Sequence, residues 1–345
     1  MSPLEAPGLV GPALLFLLSS AAVVVAGVTL ARTADEIATR TGLGGLLVGT
    51  LLLAGATSLP EIVANVTAAL EGRPDLAAGN VFGSSMANMA ILAAIDLLHR
   101  GTVWVRAGIE HARLAAIAIA LTTIPVLAIL APPGLAPAGI GIESWVVLAG
   151  YVMATVWLRR PARGRRRHDT SGEIIAPTGW GVSTRATRPL RATVLRFTIA
   201  AVVVLVAAPL VATSAGGIAE TTGLSETFVG ALLLAATTSL PELVASVAAV
   251  RIAAYDLAVG NLFGSNAFNM IALFAADAAD RSGPILAGVS TGQAVAGVGA
   301  ILLMALALAA VVHGERTRIQ RLEPDAVLVL ATYVLLLGAV FGATP

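Results

Sequence analysis

The 345 residues include no cysteine and no lysine, and charged side chains of every kind make up only 12%. Without cysteine, disulfides and thiolate metal sites are excluded. Without lysine, all 21 basic residues are arginine, which reads as a base-composition bias of the source genome. The scarcity of charge excludes most. Soluble domains carry about 25% charged and about 45–50% apolar residues, whereas this chain is 57% hydrophobic. Such a chain cannot cover its own surface with polar groups and must be solvated by something apolar. The segment Met1–Gly8 has Glu5 and no basic n-region, so a cleaved signal peptide is not expected and the first apolar run stays.

A spanning helix needs about 20 mostly apolar residues. Apolar runs fall at 9–31, 43–70, 75–98, 107–131, 139–158, 192–216, 224–250, 256–278, 286–312 and 325–342. They predict ten transmembrane helices in an all-α integral membrane protein. Arginine sets the orientation. Loops after odd-numbered runs hold Arg32, Arg40, Arg100, Arg106, the cluster from Arg159 to Arg191, and Arg316, Arg318 and Arg321. Loops after even-numbered runs hold Arg73 and Arg281, and Arg251 follows the seventh run. The arginine-rich loops are therefore expected in the cytoplasm, with both termini outside. The hydrophilic stretch 159–191 reads as a topological anchor and connector, or more sharply as a lipid-headgroup contact. It is too short for a domain of its own.

An internal repeat organises the rest. Residues 48–96 (VGTLLLAGATSLPEIVANVTAALEGRPDLAAGNVFGSSMANMAILAAID) align without a gap to residues 229–277 (VGALLLAATTSLPELVASVAAVRIAAYDLAVGNLFGSNAFNMIALFAAD). Five spans separate equivalent helices, and an odd number reverses direction across the membrane. The expected fold is thus two inverted five-helix repeats: a first half over 1–158, a cytoplasmic basic linker over 159–191, and a second half over 192–345. Such folds place their site near the midplane, at broken helices.

TSLPE occurs as Thr57–Glu61 and Thr238–Glu242. Proline lacks an N–H and its ring collides with the carbonyl four residues earlier. Pro60 should therefore free the Ala56 carbonyl and loosen that of Thr57, and Pro241 those of Thr237 and Thr238, kinking helices 2 and 7. In hydrocarbon a broken helix survives only beside protein, water or a bound ion. Each proline is followed by a glutamate, and an ionisable group mid-span is a functional candidate by default. Helical spacing aligns Ser58, Glu61 and Asn65, and in the second copy Ser239, Glu242 and Ser246. It also aligns Asn80, Ser84 and Asn88, matched by Asn261, Ser265 and Asn269.

These faces carry oxygen ligands only. Hard oxygens without histidine or cysteine favour Ca²⁺ or Na⁺ over zinc or copper. Ca²⁺ takes about 6–8 oxygens, which two bidentate glutamates, the Thr57 and Thr238 carbonyls and water would supply. Two carboxylates balance one Ca²⁺, and the same cage could hold several Na⁺ instead. Plainer readings exist for the surroundings. A lone proline is a simple kink, Gly79, Gly83, Gly260 and Gly264 permit close helix packing, and serines or asparagines can bond neighbouring helices. Glu110, Glu143, Glu226 and the matched Asp96 and Asp277 lie near span ends, where interfacial roles are expected.

The two copies of TSLPE followed by GNxFGSxxxN resemble the α-repeats of the cation/Ca²⁺ exchanger superfamily, in its sodium/calcium exchanger branch. The resemblance implies that the chain exchanges Na⁺ for Ca²⁺ by sliding its first and sixth helices past a fixed core. It implies a Ca²⁺ site of Glu61, Glu242 and the main-chain oxygens of Thr57 and Thr238. It implies Na⁺ sites that add Ser58, Ser84, Ser239, Ser265, the carbonyls of Ala54 and Ala235, and the amides of Asn88 and Asn269. No cofactor, nucleic acid or obligatory protein partner is implied; the ions are substrates, and the chain is not an enzyme.

The chain departs from the pattern at three places. Asn88 and Asn269 stand where many relatives have aspartate, which argues against potassium coupling. Ser85 replaces the first repeat's usual asparagine, which Asn266 keeps in the second. Asn65 stands where serine is more typical. A proton-coupled relative would carry a carboxylate where Gly83 and Gly264 stand, and a passive channel would need no counter-ion.

Overall fold

The computed structural model describes residues 8–40, 55, 57–99, 103–104, 110–158, 189–251, 255–313 and 324–343. The described residues contain helices and no strand. In chain order they are α1 (Val10–Arg40), α2 (Leu59–Leu70), α3 (Pro74–Leu98), α4 (Glu110–Leu130), α5 (Ile142–Leu158) and α6 (Leu190–Thr222). The second half continues with α7 (Glu226–Thr238) and α8 (Leu240–Arg251). It ends with α9 (Tyr255–Ala279), α10 (Gln293–His313) and α11 (Pro324–Ala343).

Among the described residues seven helices are long and apolar enough to cross a bilayer: α1, α3, α4, α6, α9, α10 and α11. The pair α7 and α8, bent by 45° at Ser239, makes an eighth if counted as one span. α2 and α5 are shorter apolar helices. The beginning of the expected second run, the linker residues 159–188 and the arginines at 316, 318 and 321 lie outside the described residues. Two helices outlast their apolar runs. α1 continues past residue 31 to Arg40, so Arg32 and Arg40, expected in a loop, ride on helix instead. Arg40 pairs there with Glu36 one turn back at 3.1 Å. α6 likewise runs to Thr222 and closes on Gly223 in the left-handed conformation (φ 72°), which glycine adopts without strain.

The helices sort into centre and periphery. In α3 and α9, 72% of the residues in the apolar window are buried, against 33% in α1, 28% in α6 and 17% in α11. α1 and α6 lie lengthwise against each other, their outer faces apolar and exposed. The two halves of the chain interlock, with α2 packing on α9 and α6, and α3 packing on α9, α10, α11 and α7.

Small residues decide the closest contact. α7 contains a π-helical segment, Gly230–Leu234, which faces α3. A Cβ at Gly83 would stand 2.4 Å from Ala231 Cα, and one at Gly230 would stand 2.6 Å from the Leu76 carbonyl oxygen. Both helices therefore meet backbone to backbone, and glycine is required at each point of contact. Gly79, whose Cβ would fall 2.8 Å from the Thr227 carbonyl oxygen, completes the seam.

The acidic residues near helix ends are not all at an interface. Asp96 and Asp277 are fully buried. Asp96 Oδ1 accepts the Val103 and Trp104 N–H groups at 2.9 and 3.2 Å. Asp277 accepts from Gly141 N at 3.0 Å and from Ile285 N at 2.7 Å. Both carboxylates hold the chain that follows their helix, satisfying backbone groups that burial would otherwise orphan. Glu143 is also buried. Glu226 is paired with Arg73 at 2.6 Å.

Candidate cation site

The two TSLPE segments break in the same way. Ser58 has φ −88° and ψ 8°, and Ser239 has φ −87° and ψ 1°. In both copies a proline opens the next helix, because its fixed φ and missing N–H suit the first turn. In both, the serine carbonyl receives the first helical N–H, from Ile62 and from Leu243, at 3.1 Å. Each glutamate thus sits in the first turn of the resumed helix, where the dipole favours negative charge.

Every described residue expected in the site is buried: Thr57, Ser58, Ser84, Thr238, Ser265 and Ala235 at 0% exposure, and Glu61, Asn88, Ser239, Glu242 and Asn269 at 1%. The contacts cross between the repeats. The Ser58 hydroxyl donates to Glu242 Oε1 at 3.2 Å and lies 3.4 Å from Ser265 Oγ. Ser265 Oγ donates to the same Glu242 oxygen at 3.3 Å. Thr57 also addresses Glu242, and Thr238 addresses Glu61. The two carboxylates lie within electrostatic range of each other. Ser84 meets the Thr238 hydroxyl at 3.4 Å.

The Ala235 carbonyl accepts the Ser239 N–H at 3.0 Å, which leaves its second lone pair free of any main-chain donor among the described residues. Ala54 and Ala56 lie outside the described residues. Among the described residues no group of three or more acidic, histidine or cysteine side chains converges, so the glutamates' partners here are neutral oxygens.

Several of those oxygens have no donor among the described residues. Glu61 Oε2, Glu242 Oε2, Ser239 Oγ, Asn88 Oδ1, Asn261 Oδ1 and Asn269 Oδ1 are buried and accept nothing. Unsatisfied buried oxygens are costly, and two buried carboxylates in mutual range are costlier. A cation between the two carboxylates would offset that cost. The group is chemically uniform: hard oxygen, carrying two formal negative charges.

Four residues belong to this network although the TSLPE reasoning did not place them in the site. Asn80 accepts from Thr238 Oγ1 at 3.2 Å and donates to Asn65 Oδ1 at 2.7 Å. Asn261 repeats that second bond in the other copy, donating to Ser246 Oγ at 3.2 Å. Ser85 and Asn266 meet each other and the two site amides. The GN and GSN portions of the repeated motif were the available signal, since an asparagine on a buried helix face must find partners.

A family model described as sodium/calcium exchanger protein matches residues 11–159 and 192–342. The chain is 29% identical over 299 residues to CaxA of Alkalimonas amylolytica, named among antiporters, covering 84% of this chain and 86% of the relative. It is 28% identical to the inner membrane protein YrbG of Escherichia coli over 67% of this chain and 68% of that one. Among solved structures it resembles the sodium–calcium exchanger NCX_Mj soaked with Na⁺ and Sr²⁺, at a TM-score of 0.58 and 20% identity over 95% of this chain and 98% of that one. At that identity the likeness concerns the fold.

Proposed function

The chain belongs to the sodium/calcium exchanger protein family, and from that premise we propose that it is a secondary antiporter exporting Ca²⁺ in exchange for Na⁺ by alternating access. Its family is one of multi-pass membrane transporters rather than enzymes, and the ions they move are substrates rather than cofactors. In this reading the chain forms ten spans in two inverted halves, 1–158 and 192–345. The linker 159–191 is cytoplasmic, both termini are outside, and the membrane is the inner membrane of a prokaryote. The arginine asymmetry between odd and even loops supports that orientation, and a bacterial relative named as an inner membrane protein supports the location.

The observation that carries the reading is the convergence of Glu61 and Glu242. They come from opposite halves of the chain, are both 1% exposed, and are each addressed by hydroxyls of the other repeat. The site would be Glu61, Glu242, Thr57 and Thr238 for Ca²⁺, with Ser58, Ser84, Ser239, Ser265, Asn88, Asn269, Ala54 and Ala235 added for Na⁺. Two carboxylates neutralise one Ca²⁺ or two Na⁺. Occupancy by one ion excludes the other, which is sufficient for coupled exchange.

Sodium rather than proton coupling is favoured by packing. The positions where a proton-coupled relative would carry a second carboxylate are Gly83 and Gly264. Even a Cβ at Gly83 would lie 2.4 Å from Ala231 Cα, so no glutamate fits there. The test is ⁴⁵Ca²⁺ uptake into vesicles holding the purified protein, driven by an outward Na⁺ gradient or by a pH gradient alone. Sodium-driven uptake that Glu61→Gln and Glu242→Gln each abolish is expected. Uptake driven by the pH gradient alone would establish the proton-coupled reading, and uptake without any counter-ion gradient would establish a channel.

A further inference from the structure

Asn88 and Asn269 stand where a carboxylate would present oxygen in either orientation. An amide has two unlike ends, one oxygen and one NH₂ group. Only the oxygen can serve a cation. Something must therefore decide which end faces the glutamates, and the surrounding hydrogen bonds do so without ambiguity.

The order of donation is fixed by two main-chain carbonyls, which can only accept. Ser85 Oγ lies 3.0 Å from the Val81 carbonyl oxygen, so the serine must donate there. Its lone pairs are then what remains for Asn269, which presents Nδ2 at 3.4 Å. The Asn269 oxygen is left on the far side, buried and accepting nothing. The second branch starts at the Ser85 carbonyl oxygen, 3.2 Å from Asn266 Nδ2. That bond turns Asn266 Oδ1 toward Asn88, whose Nδ2 donates to it at 2.8 Å. The Asn88 oxygen is in turn left buried without a donor. Reversing either site amide would set oxygen against oxygen.

From this we infer that Ser85 and Asn266 are positioning residues that polarise the two site amides, Asn266 acting on Asn88 and Ser85 on Asn269, so that both point oxygen rather than NH₂ at the transported cation. This rests on the antiporter reading of the same site. It also accounts for the departure from the repeat. Positions 85 and 266 are equivalent in the two copies, 181 residues apart, and they touch each other. Two asparagines there would offer one another several arrangements of similar energy. A serine, whose hydroxyl is committed to Val81, leaves only one.

The inference is tested by double-mutant cycles, which isolate a pairwise effect. Asn266→Ala should raise the half-saturating concentration of Na⁺ or of Ca²⁺ for sodium-driven uptake by about tenfold. In an Asn88→Asp background, where either end of the side chain is oxygen, the same substitution should cost nothing or improve affinity. Ser85→Ala should behave in the same way with Asn269→Asp. The crossed pairs, Asn266→Ala with Asn269→Asp and Ser85→Ala with Asn88→Asp, should show no rescue.

An equal loss in the asparagine and aspartate backgrounds overturns the inference, because a purely structural bond between α3 and α9 would be lost in both. Ser85→Ala removes a single hydroxyl and keeps one branch measurable should Asn266→Ala fail to elute as a single species in detergent. Equilibrium ⁴⁵Ca²⁺ binding to the purified protein reads the same cycles without transport. A wild-type protein that binds Ca²⁺ with the expected couplings but shows no sodium-driven uptake would refute the antiporter reading and leave the inference standing.

Discussion

The Ser58 hydroxyl donates to Glu242 Oε1 at 3.2 Å, while its counterpart in the other repeat, Ser239 Oγ, is buried without a partner among the described residues. Two residues identical in sequence context thus do different work in this conformation. Ser58 ties the first TSLPE segment to the second, and Ser239 makes no such tie among the described residues.

That difference is measurable as stability. In sodium-free, calcium-free detergent solution, Ser58→Ala should lower the midpoint of thermal unfolding, because it removes a hydrogen bond to a buried carboxylate costing about 1.5–3 kcal/mol. Ser239→Ala should leave that midpoint nearly unchanged. Equal losses in the two variants would show that the asymmetry is not present in solution.

The seam between α3 and α7 makes a steric prediction. Gly83→Ala places a methyl group 2.4 Å from Ala231 Cα and 2.5 Å from its carbonyl oxygen, neither of which can swing aside. Overpacking of this kind costs about 1–3 kcal/mol, and here it also displaces the segment that leads into Thr238 and Glu242. Gly83→Ala should therefore lower both thermal stability and ion affinity. Gly338→Ala in α11, where nothing lies within 4 Å of the new carbon, should be neutral or slightly stabilising. Normal ion affinity in Gly83→Ala would show that the seam tolerates expansion.

Arg73 predicts an electrostatic contribution far from the site. Its guanidinium lies against Gly216 of α6, where a Cβ would stand 2.7 Å from Cζ. It pairs with Glu226 at 2.6 Å, with Glu71 at 3.6 Å and with Glu220, and Glu71 also accepts from Thr213 of α6. Burial alone would lower the pKa of Arg73, but Glu220 and Glu226 outweigh it and hold the group above its ordinary value. The sign follows: a raised arginine pKa keeps the guanidinium charged, so the stabilisation is not titrated away on the arginine side in any workable buffer. Arg73→Gln leaves three carboxylates facing one another and should cost about 1–2 kcal/mol, between the surface and buried limits. Thermal unfolding at low and high salt checks this. The deficit should shrink as salt screens the carboxylates, and a salt-independent deficit would point to lost packing instead.

Composition alone carried the membrane assignment, since a chain 57% hydrophobic and 12% charged has no other solvent. The repeated TSLPE and GNxFGS segments singled out Glu61 and Glu242 by a different logic, because a carboxylate beside a proline in an apolar run is tolerated only where it binds something. Both inferences use local composition and spacing, which a sequence displays directly.

What the sequence could not display is anything that depends on which face meets which. Glu242 is held by Ser58, 184 residues earlier, and Arg73 by carboxylates about 150 residues later. Asp96 and Asp277, expected at an interface, proved to be buried and to anchor the chain beyond their helices. The direction of the amides at Asn88 and Asn269 depends on two carbonyls and one serine hydroxyl meeting across α3 and α9. Spacing along one helix says that a polar face exists. Only packing supplies its partner, because hydrogen bonds act over about 3 Å and the chain must fold back on itself before the two ends of such a bond can meet.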